Sequence, residues 1–150
     1  VIVQPLPGGQ IDGATFWLDE HSPAVALAIR YDRIDNFWFT LLHELAHVSL
    51  HLDEDEVETI FDDLDNDSLE AWEQEADDAA REALIPAKDW KRAGFDEDHA
   101  EERVKAFAEK LRISPAIPAG RIRFEKDNDR LLNDLVGRGC VRHMFEHDPR

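Results

Sequence analysis

The sequence has little of what would define several large classes of protein. It contains a single cysteine, Cys140, so it cannot form an internal disulfide framework, and a cytoplasmic location is predicted. Its longest apolar runs, such as residues 24–29, are far shorter than the roughly 20 residues that a membrane-spanning helix requires. No charged segment followed by an apolar one opens the chain as a signal peptide would. We therefore expect neither a membrane protein nor an exported one.

Positive charge is scarce as well. The chain carries 34 acidic and 17 basic residues, for a net charge of -17, and it has no lysine or arginine between Arg33 and Arg81. The electric field of such a protein repels phosphate backbones and favours cationic partners. We therefore predict that this chain does not bind nucleic acid by itself.

The length of the chain bounds its organisation. At 150 residues and 43% hydrophobic content, the sequence is long enough for one domain with a real core and too short for two comfortable ones. We predict a single domain over residues 1–150. The chain begins at Val1 rather than methionine and enters a predicted strand at once, so we also expect it to be a piece of a longer protein.

The apolar pattern changes its period near Asn36. Before that point, short β-type runs at 1–3, 14–18 and 25–31 are separated by proline and glycine turns and predict strands. After it, three- and four-residue steps predict helices to His51, from Asp67 to about Leu84, and over 96–111, with a further helical turn at 131–136. The fold class is therefore predicted as α+β, with a small antiparallel sheet packed on helices.

The acidic segment between the first two helices raises the possibility of a calcium loop. Asp63, Asp65 and Asp67 occupy the first, third and fifth positions of an EF-hand. However, Ser68 stands where the turn needs glycine, and Gln74 stands where a bidentate glutamate is needed. We reject the calcium site and predict a solvated acidic loop.

The first helix carries the residues with the clearest chemistry. Residues four apart lie above one another on a helix, so His43 and His47 can point at one metal ion. Glu44 lies about 100° around the helix from His43, where it can reach a water on the ion without binding the ion itself. His-Glu-Leu-Ala-His is thus the HExxH pattern of zinc peptidases. The alternative is a core helix whose polar stripe happens to carry histidines.

A catalytic zinc ion needs a third protein ligand, and Glu75 is the predicted one. It lies on the second helix, where it borders the apolar face. The metzincin pattern is excluded, because it needs glycine at position 50 and histidine at position 53, which are Leu50 and Asp53. His51 continues the stripe, but it lies roughly 12 Å along the axis from His43 and is therefore predicted to support the site rather than bind the ion.

Several other residues could assist the site, and spacing does not choose among them. Asp77 or Asp78 could orient a ligand imidazole, and Cys140 could bind zinc in a resting state. A donor that stabilises the oxyanion of the tetrahedral intermediate is also expected. The candidates for it are Tyr31, His99, Arg121, Arg142 and His143.

These segments together resemble a known family. Residues 30–47, 61–65, 73–77 and 83–86 are similar to the ImmA/IrrE family of zinc metallopeptidases, and residues 113–123 are similar to its subgroup fused to Xre-type, HigA-like antitoxin regulators. The resemblance implies a zincin-like fold of gluzincin type. It also implies a Zn²⁺ ion held by His43, His47 and Glu75, with Glu44 as the catalytic acid and base.

The predicted function is therefore that of a zinc metalloendopeptidase that cleaves a regulatory or toxin-type protein partner. The alternative is a non-catalytic, partner-binding module of an Xre-type antitoxin regulator. In either case DNA binding would belong to a domain upstream of Val1. The pattern leaves the substrate, the cleavage site and the oligomeric state open.

Overall fold

A computed structural model describes residues 2–3, 12–19, 21–51, 66–95 and 100–145. The fold is α+β, as predicted. Its elements in chain order are β1 (Ile2–Val3), β2 (Gly13–Asp19), β3 (Ser22–Leu27), α1 (Ile34–Leu50), α2 (Asn66–Leu84), α3 (Ala87–Ala93), α4 (Glu101–Leu111), α5 (Ala116–Glu125) and a 3₁₀ turn (Arg142–Met144).

The chain divides into two compact units. The first unit comprises Val1–Arg30 and Phe39–Ala83, and the second comprises Tyr31–Trp38 and Leu84–Arg150. Helix α1 therefore contributes its first residues to the second unit and the remainder, with its histidines, to the first. The prediction of a single domain stays a prediction.

The sheet of the first unit has the strand order β1-β3-β2 in the described part of the chain. Strands β2 and β3 pair in antiparallel register from Gly13 opposite Leu27 to Asp19 opposite Ser22. Strand β1, however, pairs in parallel with β3, which differs from the purely antiparallel sheet that was predicted. The apolar pattern of two residues cannot report strand direction, because direction depends on the path of the following connection.

The bounds of β3 also differ from the predicted 25–31. The strand begins at Ser22 and ends at Leu27, so it includes Pro23, which the sequence had indicated as part of a turn. Proline is tolerated near the start of a strand, where few ladder hydrogen bonds depend on its missing N–H. Ala24, Val25 and Leu27 are buried and anchor the sheet in its unit.

Helices α1 and α2 follow the predicted bounds to within two residues at each end. Ala76 and Ala80 of α2 are fully buried, and their small side chains mark the line along which this helix packs. The helix ends at Leu84, shortly before Pro86, which disfavours helical geometry in the residue that precedes it.

The second unit has an apolar core and two helices that the sequence reasoning missed. The core consists of Phe95, Val104, Ala119, Ile122, Leu135 and Val136. No helix was predicted over residues 116–125, where Pro118 lies in the first turn of α5 and its missing backbone N–H has no helical partner to lose. Helix α3 is short and is capped by Gly94, whose φ of 63° is left-handed.

Residues 131–136, predicted as helical, form turns instead. Two further predictions, the acidic loop with Asp63 and Asp65 and the start of a helix at Asp96, lie outside the described residues.

Candidate metal centre

Helix α1 places two of its histidines side by side. The Nε2 atoms of His43 and His47 lie 3.0 Å apart, and both side chains are largely buried, with 15% of their surface exposed. The two residues are one helical turn apart, so their rings project from the same face. The sequence spacing alone accounts for this part of the site.

The third side chain at this point comes from α2 and is Glu73. Its Oε2 atom lies 3.2 Å from His43 Nε2, and its Oε1 atom lies 3.4 Å from His47 Nε2. Among the described residues, His43, His47 and Glu73 form the group whose nitrogen and oxygen atoms converge as metal ligands do. The structure therefore brings two imidazoles and one carboxylate to a single point.

Glu75, the third ligand predicted from the sequence, lies elsewhere. Its Oε2 atom is 3.1 Å from His51 Nε2, and the structure places Glu73 in the position that was assigned to it. Both glutamates are largely exposed, so burial does not distinguish them. At 100° per residue, Glu73 lies only about 40° around the helix from the line through Ala76 and Ala80, whereas Glu75 lies about 120° from it on the other side.

The outer nitrogens of the two histidines contact other groups. His43 Nδ1 lies 3.0 Å from Asp77 Oδ1, and His47 Nδ1 lies 2.9 Å from His51 Nδ1. An ionised carboxylate only accepts, so a neutral His43 carries its proton on Nδ1 and donates it to Asp77, and its Nε2 atom keeps a lone pair. If His47 likewise donates to His51, its Nε2 atom also carries a lone pair. Two lone pairs and the Glu73 carboxylate then face one another.

This donor set fits a zinc ion. Three converging acceptors repel one another unless a cation lies between them. Ligands of a tetrahedral zinc ion with bonds near 2.05 Å are about 3.3 Å apart; here the two imidazole nitrogens are 3.0 Å apart, and each lies 3.2 or 3.4 Å from one of the two oxygens of Glu73. Burial, followed by repulsion from the protonated form of His43, lowers the pKa of His47, which favours the neutral imidazole that a metal requires.

Asp77 is itself held in place. Its Oδ2 atom accepts a hydrogen bond of 2.6 Å from Arg81 Nη2, one turn further along α2. The guanidinium of Arg81 also lies over the ring of Phe39, 5.9 Å from its centroid. Arg81 thus orients the carboxylate that orients His43, as supporting residues around metal sites commonly do.

Glu44 lies on the buried side of α1, with 7% of its surface exposed. Its Oε2 atom is 2.7 Å from Thr15 Oγ1, which donates a hydrogen bond to it when Glu44 is ionised. Gly13 makes room for this carboxylate, because a Cβ atom at that position would lie 2.5 Å from Glu44 Oε1. Burial raises the pKa of Glu44, and the Thr15 hydrogen bond opposes the rise. A carboxyl group with a raised pKa is suited to accept and return a proton near neutral pH.

The family model of the IrrE N-terminal-like domain, Peptidase_M78, matches residues 1–123. This chain belongs to that family. None of the curated proteins compared with the chain matches it. The chain is therefore a metallopeptidase-type domain, and the predicted resemblance to the ImmA/IrrE family is confirmed. The resemblance to the subgroup fused to Xre-type regulators stays a prediction. No helix in the described ranges is long and apolar enough to cross a membrane.

The other candidates in this IrrE N-terminal-like domain belong to its second unit or lie outside the described residues. Arg121 contacts the Ile85 carbonyl oxygen and Glu125, and His143 Nδ1 lies 3.2 Å from the Gly139 carbonyl oxygen. The predicted roles of these residues, and of Tyr31, Arg142 and Cys140, stay predictions. His99 lies outside the described residues.

Sequence reasoning missed Glu73 although a signal for it was present. Glu73 and Asp77 are four residues apart, and Ala76 and Ala80 form the small-residue line beside them. Glu75 was predicted instead because it lies between Trp72 and Ala79, three residues before and four residues after it, and so borders the apolar face. Thr15 and Gly13 carried no signal, since no local pattern links a strand residue to a helix 29 positions later.

Proposed function

We propose that this domain is a zinc-dependent endopeptidase whose ion is held by His43, His47 and Glu73. The observation that carries the proposal is the convergence of two imidazole nitrogens and one carboxylate within 3.4 Å of one another. A zinc ion held there would polarise the peptide carbonyl and make water a better nucleophile at neutral pH. Three protein ligands leave a fourth position open, which is typical of a catalytic rather than a structural zinc site.

Glu44 acts as the general base and acid in this proposal. It follows the ligand His43 on the same helix, Thr15 donates a hydrogen bond to its Oε2 atom, and burial raises its pKa. Glu44 takes a proton from the attacking water and passes it to the leaving nitrogen of the cleaved peptide. A purely structural metal site has no use for a buried carboxylate that is not a ligand.

The substrate that we propose is a flexible, basic segment of a protein partner. A surface pocket beside Glu73 is lined by Leu69, Glu70, Glu73, Gln74 and Asp77, three of which are acidic. Because the whole chain has a net charge of -17, it also attracts basic segments at long range. A DNA-binding regulator or a toxin would offer such segments. The resemblance of residues 113–123 to the subgroup fused to Xre-type regulators supports a partner of this kind, acting in the cytoplasm.

The test compares the wild-type domain with Glu44→Gln. Both proteins are loaded with zinc, and their metal content is measured before they are incubated with two unstructured peptides that differ only in lysine or glutamate at matched positions. We expect one zinc ion per chain in both proteins and cleavage of the lysine peptide by wild type. Loss of the general base should reduce the rate by about 10²- to 10⁴-fold.

Two results would contradict the proposal. A wild-type protein that takes up no zinc would refute the metal site itself. Zinc uptake by both proteins, without cleavage of either peptide or of flexible regulator segments, would refute the peptidase and favour the partner-binding module.

A further inference from the structure

His51 contacts three groups at once, although no part of the proposed reaction uses it. Its Nδ1 atom is 2.9 Å from His47 Nδ1, and its Nε2 atom is 3.1 Å from Glu75 Oε2. Its ring stacks on the ring of Trp72, with centroids 4.7 Å apart and planes within 1° of parallel. Only 5% of its side chain is exposed. His51 is therefore held on both edges and on one face.

These contacts determine where the protons lie when His51 is neutral. An ionised carboxylate only accepts, so His51 must carry its proton on Nε2 and donate it to Glu75. The Nδ1 atom of His51 is then an acceptor. The facing Nδ1 atom of His47 must in turn be the donor, which leaves the Nε2 lone pair of His47 free toward His43 and Glu73.

We propose that His51 and Glu75 are positioning residues that hold His47 in its metal-binding tautomer. The two ligand histidines are then supported differently: His43 donates directly to a carboxylate, whereas His47 donates to an imidazole that donates to a carboxylate. Metal-bound histidines commonly donate their second N–H in this way, and the partner sets the ring orientation and the basicity of the ligand. The proposal rests on the metal site described above.

This arrangement also accounts for two residues of α2 that do not reach the metal site. Trp72 and Glu75 are three residues apart and so lie near one another on the helix, where the first supports the His51 ring and the second accepts its proton. Glu73 lies around the helix from both and turns to His43 and His47. Helix α2 thus supplies the ligand Glu73 from one side. From the adjacent side, Trp72 and Glu75 contact His51, which supports the ligand His47.

The test measures zinc affinity by competition with a chromophoric chelator, in His51→Phe and His51→Gln. Phenylalanine keeps an aromatic ring on Trp72 but removes both nitrogens, whereas glutamine can accept from His47 and donate to Glu75. We expect His51→Phe to weaken zinc binding about 10- to 100-fold, without lowering the melting temperature of the metal-free protein. His51→Gln should recover most of the loss.

Two spectroscopic measurements add readouts that packing alone would not change. In the zinc-loaded wild type, long-range ¹H–¹⁵N spectra should show His51 protonated at Nε2 and His47 protonated at Nδ1. With Co²⁺ in place of zinc, the visible absorption bands should shift in His51→Phe and return toward the wild-type position in His51→Gln. Opposite tautomers, or Co²⁺ bands that are the same in all three proteins, would overturn the proposal.

Glu75 gives a second route that does not depend on a buried substitution, because 60% of its side chain is exposed. Glu75→Gln keeps an acceptor for His51 and should bind zinc almost as wild type does. Glu75→Leu removes the acceptor and should weaken zinc binding several-fold. If Glu75→Gln instead abolished zinc binding, Glu75 would be a ligand and the support role would be wrong.

The failure of this inference differs from the failure of the proposed function. If wild type binds no zinc, the proposed metal site is wrong. If wild type binds zinc, Glu73→Gln loses it and His51→Phe binds within twofold of wild type, the metal site stands and only the support by His51 is wrong.

Discussion

The histidine cluster of the first unit and Arg123 of the second unit are buried in different ways. In the first unit, His43, His47 and His51 are linked to one another and to carboxylates of α2 through contacts of 2.9 to 3.1 Å. In the second unit, Arg123 is 4% exposed, yet its Nε and Nη2 atoms have no hydrogen-bond partner. Burial by itself therefore does not mark a functional residue. A functional residue is marked instead by the convergence of several hydrogen-bonded groups on one point.

The comparison is tested most strongly at Glu73 and Glu75. Glu73→Gln should weaken zinc binding by about 1,000-fold, beyond the 10- to 100-fold that is typical of residues that only support a ligand. Glu75→Gln is the matched control, two residues away and equally exposed, and should change zinc affinity by less than tenfold. Isothermal titration with zinc measures both. The reverse order of effects would restore Glu75 as the third ligand.

The second unit should respond in stability instead of metal binding. Ile122 is fully buried in its apolar core, so Ile122→Ala should lower the free energy of unfolding by about 3 kcal/mol. Phe124→Ala, on the same helix at a position that is 69% exposed, is the control and should cost far less. Urea denaturation measures both changes. If Ile122→Ala stayed folded but lost zinc affinity, the apolar core of the second unit would not act on stability alone, and the comparison would be wrong.

A smaller effect is expected at Thr15, which contacts Glu44 but none of the proposed ligands. Thr15→Val keeps the shape of the side chain but removes the donor to Glu44, so kcat should fall about tenfold, the kinetic equivalent of one hydrogen bond to a charged group. Thr15→Ser should restore it, and the zinc affinity of both variants should stay at the wild-type value. Steady-state cleavage assays measure kcat for both variants. Equal kcat values for Thr15→Val and Thr15→Ser would argue against the positioning of Glu44 by this hydroxyl.

The smallest effect is expected at Arg123. Arg123→Met loses the hydrogen bonds of Nη1 to the Leu131 carbonyl oxygen and to Asn133 Oδ1, but it also removes two unpartnered nitrogens and a guanidinium whose pKa is lowered by burial. These contributions oppose one another, so the free energy of unfolding should change by no more than about 1 kcal/mol. Thermal unfolding followed by calorimetry checks this. A loss of several kcal/mol would mean that this arginine is as well paired as the histidines of the first unit.

Sequence reasoning succeeded where one element held all the information. The spacing of His43, Glu44 and His47 is a property of a single helix, and the bounds of α1 and α2 followed from periodicity and from Pro86. It failed where the pattern was too short or ambiguous. Strand β1 has two residues and carries no sign of its direction, and no helix was predicted over residues 116–125, where Pro118 lies in the first turn of α5.

The choice between Glu73 and Glu75 shows the same limit at the site. Both lie on one predicted helix, and the decision depended on a rotation of that helix that Trp72 and the alanines left ambiguous. The contacts of Thr15 and Gly13 with Glu44 join residues about 30 positions apart, which no local pattern encodes.

By itself, the sequence determined that this is an acidic α+β chain with one helix that presents two imidazoles and a carboxyl group in the order required for zinc-assisted hydrolysis. Helical geometry repeats every 3.6 residues, so spacing along one helix already specifies which side chains share a face. Only the tertiary structure decided which carboxylate faces those imidazoles and which residues hold their outer nitrogens. The rotation and register of one packed element against another depend on the shapes of all the side chains between them, which no single segment contains.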